Sequence, residues 1–576
     1  MRAKKYLFST LKEIPNNSDC TSHILMLRAG IIRQSTSGTY IWLPTGLRIL
    51  KKVINIIRKE MEKCEAMEIS KPFLQKKKIW DISKRFNEYG KELFQIKDRN
   101  NKKFILGPTY EEFITCFMKN EIQSYKQLPL ILYQIQTKFR DEIRPRFGTI
   151  RTKEFIMKDA YSFHLDSTSL EKTYTIIYNA YVRIFQKMKL KFYAVKADSG
   201  IMGGIKSHEF QAPSSNGENT IVISTKSNYA TNIQVENTIT SQTQKSTIDN
   251  HHFEFTKILS THEKISKKLS TIPNSLRANF IKTILIKTKK NSKYSFLALL
   301  IQGNQVIDEK KISKINIISN PLKFASNEEI LSITGTTSKF IGPINLNLPI
   351  LADYSIANLK NFTIGSNITN QYFNNMNWNK DISFPKIYDI RYILENRFNP
   401  NDTGELKIKN SIEIAHIFQI GKKYSKIMNM KVQNEIGKKQ VLTMGCYGIG
   451  IARTISAVIE QNHDQNGIIW PSSIAPFEIA IIPINFYESK LVKIQSEKIY
   501  HFCKKHGIEV ILDDRKNTLG TKLSEMELIG IPNSIIVSEK LLENNTIEYR
   551  QRHHREKKII TINEILKKIS HKFIEK

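Results

Sequence analysis

This sequence predicts an α+β protein of several domains, and three features carry that prediction. Residues 1–223 mix amphipathic helical patterns with period-2 strand patterns. A stretch rich in Ser, Thr, Asn and Gln, from Ser224 to His252, then interrupts them like a linker. From Ala475 onward, apolar runs alternate with helical stretches, as in a βαβ-type domain. A chain of 576 residues suits several domains, 40% apolar content is enough for their cores, and 10% aromatic residues argue against disorder.

Lys and Arg outnumber Asp and Glu by 88 to 54, a formal charge of +34. Such an excess suits a polyanionic partner. Lys, Asn and Ile are abundant along the whole chain, however, as an AT-rich genome would make them, so charge alone leaves nucleic acid and compositional drift equally open. Cys20, Cys64, Cys116, Cys446 and Cys503 form no C-x-x-C pair, which argues against a disulfide framework and structural zinc. No apolar segment of signal-peptide length follows Lys4 and Lys5, and no run approaches a bilayer span. The expectation is a soluble, cytoplasmic protein with no membrane partner.

Taken in order, Pro44 and Gly46 open a helix with a stripe of Leu47, Leu50, Ile54, Ile57 and Met61. Tyr133, Ile135, Thr137 and Phe139 alternate with Gln134, Gln136, Lys138 and Arg140, the mark of a half-buried strand. Pro145 and Gly148 break that run, and a second strand returns through Ile150, Thr152, Glu154 and Ile156 to complete a hairpin. A helix from Thr168 to Lys189 follows, with Thr168 and Glu171 as a capping box and Leu170, Tyr174, Ile177, Tyr181, Phe185 and Met188 as its buried face. Beyond the polar stretch lies a separate body with strand runs at Thr283–Lys287 and Tyr294–Gln302, ending in an exit loop at Asn399, Pro400, Asn401, Asp402 and Gly404. Strands resume at Ile412–Ile420 and Gln440–Gly445 and lead into a helix from Ile451.

The hairpin sets Arg140 and Glu142 on one face and Arg144, Arg146 and Arg151 around its tip, a device able to clamp a polyphosphate on its strands and an RNA end at its loop. Gly107-Pro108-Thr109-Tyr110-Glu111 presents a hydroxyl and a carboxylate on one side of an extended chain, which suits a cationic secondary amine. Gly448-x-Gly450 ends a strand and opens a helix, and it is no dinucleotide fingerprint, because Arg453 stands where a third glycine is needed. Together these segments resemble motifs 2 and 3 and the T-x-E element of the class II aminoacyl-tRNA synthetases, in the wording of the bacterial-type prolyl-tRNA synthetases. Pro44, between the Tyr40/Trp42 strand and the long helix, is similar to the motif 1 proline.

The resemblance covers essentially the whole chain. It implies an antiparallel-sheet catalytic core in two parts (1–223 and 408–473), an inserted α+β editing-like domain (224–407) and a C-terminal α/β anticodon-binding domain (474–576). It implies ATP-dependent activation of proline to prolyl-adenylate and transfer to the 3′ end of tRNA(Pro), with Mg2+ on the ATP phosphates and a homodimer built on motif 1. Arg140, Glu142 and Arg453 would be catalytic, and ATP would also meet Arg151, Phe155, Gly448 and Gly450. Proline would meet Thr109, Glu111, Arg140 and His208, the last in a wall with Gly200, Gly203 and Gly204. Arg144 would contact the acceptor end, and no residue is assigned to a resident metal. The insertion resembles a YbaK-type domain that deacylates mischarged alanyl-tRNA, with Lys282 as its lysine. Lys339 replaces the first glycine of its G-x-x-x-P loop and Gln371 replaces a histidine before Tyr372, so its editing is expected to be weak or lost. Lys153, where arginine is commoner, and Tyr110, where histidine is commoner, are milder departures. A non-catalytic RNA-binding paralogue is the rival reading; such relatives usually lose a motif arginine, and both Arg140 and Arg453 are present.

Overall fold

The computed structural model describes residues 1–15, 18–197, 202–204, 206–227, 229–232, 257–259, 279–390 apart from 290, 304, 314, 320, 358 and 389, and 406–571 apart from 555. Gly200, most of the polar stretch, the exit loop around Pro400 and Arg555 lie outside these residues. The chain divides into two compact units, Met1–Ile221 with Lys409–Lys576, and Val222–Ile408.

The first unit is organised by a sheet of β1 (Met67–Glu68), β2 (Leu130–Phe139), β3 (Glu154–His164), β4 (Tyr193–Lys196), β5 (Lys206–Pro213), β6 (Leu406–Gly421) and β7 (Thr443–Gly450). The pairing runs β1-β2-β3-β7-β6-β5-β4 and is antiparallel except at β1. The predicted hairpin is β2–β3, with Phe139 opposite Glu154. Its return strand starts later than the alternation suggested, because Gly148–Ile150 forms a 3-10 turn. Nor is β2 half-buried: Gln134 and Lys138 on its polar face are as buried as Tyr133 on the other. A polar strand face that is out of bulk solvent marks a site.

The helices are α1 (Thr21–Arg28), α2 (Pro44–Glu62), α3 (Glu111–Glu121), α4 (Ser167–Lys187) and α5 (Ile451–Gln461). Pro44 starts α2, where its missing N–H costs nothing. The buried row of α2 is Ile49, Leu50, Val53, Ile57 and Met61, and Leu47 is left 40% exposed, so the face is rotated from the expected stripe. The expected capping box on α4 is absent. Asp166 caps the helix by accepting from the Ser169 N–H at 2.8 Å, and Glu171 instead accepts from Lys206 at 2.6 Å. The buried face of α4 is as predicted, from Leu170 through Phe185.

The C-terminal part is a five-stranded sheet of β8 (Ile479–Pro483), β9 (Val510–Leu512), β10 (Asn533–Val537), β11 (Thr546–Gln551) and β12 (Lys557–Thr561), in the order β9-β8-β10-β11-β12. The first three strands are parallel, joined by α6 (Lys490–Lys505) and α7 (Leu519–Ile529). It docks on the core through Arg48, which meets Glu509 at 2.6 Å and the Pro476 carbonyl at 2.8 Å, and through the Trp470 indole on the Ile529 carbonyl at 2.7 Å. Arg552 is buried and donates to Asp464 at 2.6 Å.

In the second unit, Ile281–Lys287 and Phe296–Gln302 pair antiparallel, and Ile350–Asp353 and Lys386–Tyr388 extend the sheet in parallel. Ala230–Asn232 is a short strand inside the stretch read as a linker. Lys282 and Lys339 are exposed, whereas the Gln371 side-chain oxygen is buried with no hydrogen-bond partner among the described residues. No helix among the described residues is long and apolar enough to cross a membrane.

Glu60 ties α2 to α4. Its carboxylate is buried and accepts from Lys63 at 2.9 Å, Arg183 at 2.7 Å and Lys187 at 2.6 Å. Burial pushes this carboxyl up, but the three cations outweigh it and hold it at about 2. A carboxyl depressed on folding stabilises above its unfolded value near 4.5, and that contribution fades as pH falls through about 2. The cations are half-exposed, so Glu60→Ala should cost only about 1–2 kcal/mol. Thermal unfolding should show a lower midpoint for the variant at neutral pH, with the gap to wild type narrowing below pH 4.

Candidate active site

Strand alternation brings the site together. Phe155, Met157, Asp159 and Tyr161 share one face of β3, and Cys446, Gly448 and Gly450 share one face of β7. With Lys138 and Arg140 from β2 and its end, Glu413 and Ala415 from β6, Arg453 from α5, and Thr109 and Glu111 at the start of α3, they line a cavity of about 310 Å³. Glu142 and Arg151 line it as well. Any side chain at Gly448 would enter this space, since even a Cβ there would come within 2.4 Å of Met157 Cε.

One end of the cavity is cationic. The Arg140 guanidinium lies 5.1 Å from the Phe155 ring, and its buried Nε has no hydrogen-bond partner among the described residues. Arg453 is aimed by the Ile150 carbonyl at 3.1 Å and the Glu413 carbonyl at 3.0 Å, which leaves part of its fork free. Arg151 is braced by Glu142 at 2.9 Å. The Glu413 carboxylate accepts from His416 Nδ1 at 3.1 Å, and the imidazole stacks on Phe418 at 3.8 Å. Burial raises the Glu413 carboxyl, but His416, Arg453 and Arg140 outweigh it and hold it at about 2. Glu209, Glu413 and His416 bring potential ligand atoms within 4.8 Å of one another.

The other end is built around a buried carboxylate. Thr109 Oγ1 donates to Glu111 at 2.7 Å, and the Cys446 thiol donates at 3.3 Å. Arg85, itself fully buried, donates at 3.0 Å to both Glu111 and its neighbour Glu112. Burial would raise Glu111, yet Arg85 and the Thr109 hydroxyl hold it below the usual carboxylate range. Glu112 stands above that range, because burial and the charge of Glu111 outweigh Arg85. Below them Asp159 is paired with Lys138 at 2.6 Å and Lys71 at 3.1 Å, all three buried. Burial lowers Lys138 to about 8 despite Asp159. The cavity therefore offers an ionised acid at one end and, at the other, three guanidinium groups of which Arg453 and Arg151 are paired with Glu413 and Glu142 and Arg140 has no ion-pair partner among the described residues, a layout complementary to a zwitterion joined to a polyphosphate.

Of the predicted residues, Arg140, Glu142, Arg151, Phe155, Gly448, Gly450, Arg453, Thr109 and Glu111 all line this cavity. His208 does not. It points to the opposite face of β5, where its Nδ1 meets the Tyr174 hydroxyl at 2.6 Å, and its desolvated ring is held down at about 4. His416 lines the cavity, and Glu209, its register partner on β5, lies 3.7 Å from it. Glu111 is the first residue of a helix rather than part of an extended turn, so its approach to Thr109 depends on the cap. Arg144 is exposed on the hairpin loop outside the cavity. Tyr110 is buried and donates to the Pro72 carbonyl at 3.0 Å. Arg85, Lys138, Glu413 and Cys446 were not predicted.

Residues 94–462 match the family model of the tRNA synthetase class II core domain (G, H, P, S and T), and residues 478–572 match that of an anticodon binding domain. A proline–tRNA ligase of Buchnera aphidicola subsp. Baizongia pistaciae is 68% identical over 567 residues, which is 98% of this chain and 99% of the relative. The enzyme of the same name from Buchnera aphidicola subsp. Schizaphis graminum is 50% identical, with 98% of each chain covered. The chain belongs to the proline–tRNA ligase family. With that family it belongs to the class II aminoacyl-tRNA synthetases, as the hairpin and the Gly448 segment implied. In fold it is similar to the prolyl-tRNA synthetase of Cryptosporidium parvum complexed with L-proline and AMP, with a TM-score of 0.58 at 15% identity, covering 99% of this chain and 77% of that one. The Giardia lamblia prolyl-tRNA synthetase in complex with prolyl-adenylate gives 0.56 at 14% identity, covering 94% and 73%.

The clamp on Glu111 is open to test. Arg85→Lys replaces a two-carboxylate fork by a point charge and should let the Glu111 carboxyl rise. The acid limb of kcat/KM for proline should move to higher pH, with KM raised about tenfold, roughly 1.4 kcal/mol. A loss that is the same at every pH would count against a charge-setting role.

Proposed function

We propose that the cavity ligates proline to tRNA(Pro) in two steps, with residue roles set by the charge layout. The secondary ammonium of proline is received by Glu111 and the Thr109 hydroxyl. Its carboxylate turns toward Arg140, with the α-phosphate of ATP on the same guanidinium. Adenine packs on Phe155, Arg453 takes the γ-phosphate, and the bare backbone of Gly448 and Gly450 leaves room for the nucleotide. A carboxylate oxygen attacks the α-phosphorus, an O–P bond forms, and the bond to the bridging oxygen breaks to release pyrophosphate. No proton has to be removed, because the nucleophile is already an anion. Rate comes from alignment and from cations fixed beforehand. A ribose hydroxyl of the terminal adenosine then attacks the prolyl carbonyl, the carbonyl carbon's bond to the phosphate oxygen breaks, and AMP departs, with the hydroxyl proton passing to the leaving phosphate.

The observation that carries this reading is the Arg140 guanidinium, buried at Nε, unpaired among the described residues and in one cavity with Arg453. A buried guanidinium N–H with no acceptor of its own calls for one from a ligand, and an anionic oxygen suits it best. Magnesium on the ATP phosphates fits the donor set through the carboxylates of Glu413 and Glu209, since a hard cation prefers oxygen to the His416 imidazole. It would shield the phosphate charge. Arg144 on the exposed loop is assigned to the acceptor end and the C-terminal domain to the anticodon, and a homodimer is proposed on the motif 1 resemblance.

Pyrophosphate exchange into ATP should depend on proline and fail with threonine or alanine. Arg140→Lys keeps the charge and loses the fork, so exchange should fall about 100-fold or more, close to 3 kcal/mol of transition-state stabilisation. Full exchange in that variant would refute the assignment.

Editing by the second unit is proposed to be weak. An exposed lysine at 339 and an unpaired amide oxygen at Gln371 replace a flexible glycine and an imidazole. Alanyl-tRNA(Pro) should persist when incubated with the protein, and rapid deacylation in a discharge assay would show an active editing site.

A further inference from the structure

The first turn of α3 carries two adjacent acids, and the reaction uses only one of them. Glu111 lines the cavity, whereas Glu112 does not. Both side chains are fully buried. The only cation within salt-bridge distance of Glu112 among the described residues is Arg85. Its Nη1 lies 3.0 Å from each Glu112 oxygen and 3.0 Å from Glu111. The rings of Trp80, Tyr89 and Tyr424 surround the guanidinium at 5.0 to 5.5 Å, so the three charged groups share a poorly solvated enclosure.

Other titratable groups approach from the Glu111 side. The Cys446 thiol donates to Glu111, and Tyr161 receives the Tyr110 N–H. Lys71 and Lys138 are committed to Asp159, and the Lys138 ammonium sits 3.8 Å from the Tyr110 ring. Around Glu112 itself the count is therefore two carboxylates against one guanidinium, and burial makes the surplus negative charge costly.

A proton on Glu112 removes that surplus, and the contacts of Ser83 give it a place. Ser83 Oγ lies 2.9 Å from Glu112 Oε1 and 3.1 Å from the Trp80 carbonyl, two acceptors for one hydroxyl proton. With Glu112 protonated, its O–H donates to Ser83, and Ser83 donates to Trp80. Each group is then satisfied. Burial, joined by the charge of Glu111, pushes the Glu112 carboxyl up in the same direction.

Proline alters the count, because its ammonium brings one more positive charge to Glu111. We infer that Glu112 holds one proton before proline binds and releases it to solvent when the ammonium reaches Glu111. The Glu112 O–H bond breaks, its electron pair stays on the carboxylate, and the enclosure is neutral both before and after. Glu112 is thus a positioning residue that acts through Arg85 and Glu111 and lets the pocket accept a full positive charge. The inference rests on the proposed placement of the proline ammonium.

Calorimetric titration of L-proline into the full chain, in two buffers of different ionisation enthalpy, counts the protons released. Wild type should release a fraction of a proton that grows from pH 8.5 toward pH 5.5. Affinity for proline should weaken in step as pH falls, by at most about tenfold per pH unit for one linked proton. Glu111, held below the usual carboxylate range, does not titrate in this window. Glu112→Gln fixes the neutral form. It should abolish the acid-side release and flatten the pH dependence, with its affinity meeting that of wild type at the acid end. A merely structural defect would not converge there. Release that persists in E112Q, or that peaks near pH 8 where Lys138 titrates, would overturn the inference. Should E112Q not fold, infrared difference spectra of wild type decide. Proline must erase a protonated-carboxyl band, and an unchanged band refutes the proposal. Glu111→Gln tells the two failures apart. Undiminished proline binding by E111Q overturns the placement of the ammonium and the inference with it. Binding by wild type with no proton released, lost in E111Q, overturns the inference alone.

Discussion

A carboxylate sealed away from water must be neutralised, protonated or braced, and the catalytic half of this molecule is arranged around bracing one. Glu111 stays ionised only because Arg85, equally buried, shares a guanidinium between it and Glu112. Two acids against one fixed cation cannot be equivalent, and the structure separates them. Glu111, with the Thr109 hydroxyl and the Arg85 fork, keeps its charge, while Glu112, turned to Ser83, is pushed toward the neutral form. The second charged group below it obeys the same logic with signs reversed, Asp159 serving two lysines. Charges of both signs are thus fixed before any substrate arrives. Only the Arg140 end is left unbalanced, and there an incoming anion completes the arrangement.

The fold makes this possible by giving the sheet two different faces. On one, Ala160, Phe210, Ile417 and Tyr447 pack on the apolar stripe of α4. On the other, the alternate residues of the same strands carry the cavity. A slip of one residue in these strands would put Lys138, Asp159 or His416 in the apolar layer, so burial of the helix face enforces the register that lines the cavity. Binding geometry and core packing are one constraint read from opposite sides.

That coupling also explains what the sequence revealed and what it concealed. The hairpin was legible because Pro145 and Gly148 punctuate two alternating runs, and the β7–α5 turn because small residues precede an arginine. Arg85 left no signal: it lies in a short helix with no periodicity, and its partners are 26 and 27 residues away. Lys138 was visible as a polar residue in an alternating strand but was indistinguishable from a solvated one. His208 and His416 show the limit from the other side. Each sits on a strand, and the choice of face depends on pairing partners that a single sequence does not disclose. The α4 cap failed for a local reason: Asp166 accepts the Ser169 N–H and starts the helix at Ser167, which leaves Thr168 inside the first turn, where it cannot be the cap.

The place of the insertion follows from the same sheet. Strands β5 and β6 are antiparallel neighbours, and Pro213 stands opposite Ser411, so the chain leaves and rejoins the core at adjacent points. Loop-closure entropy rises only slowly with loop length, and a folded body between two fixed, neighbouring ends therefore burdens the core little. The ends are held by the core itself, through the pairing of β5 with β6 and the hydrogen bond from Ser411 to Gln211 at 2.9 Å. No described residue of Val222–Ile408 lines the cavity. Sequence change can accumulate there, at positions such as Lys339 and Gln371, while Arg85, Glu111, Arg140 and Arg453 stay under the constraint of a shared charge balance.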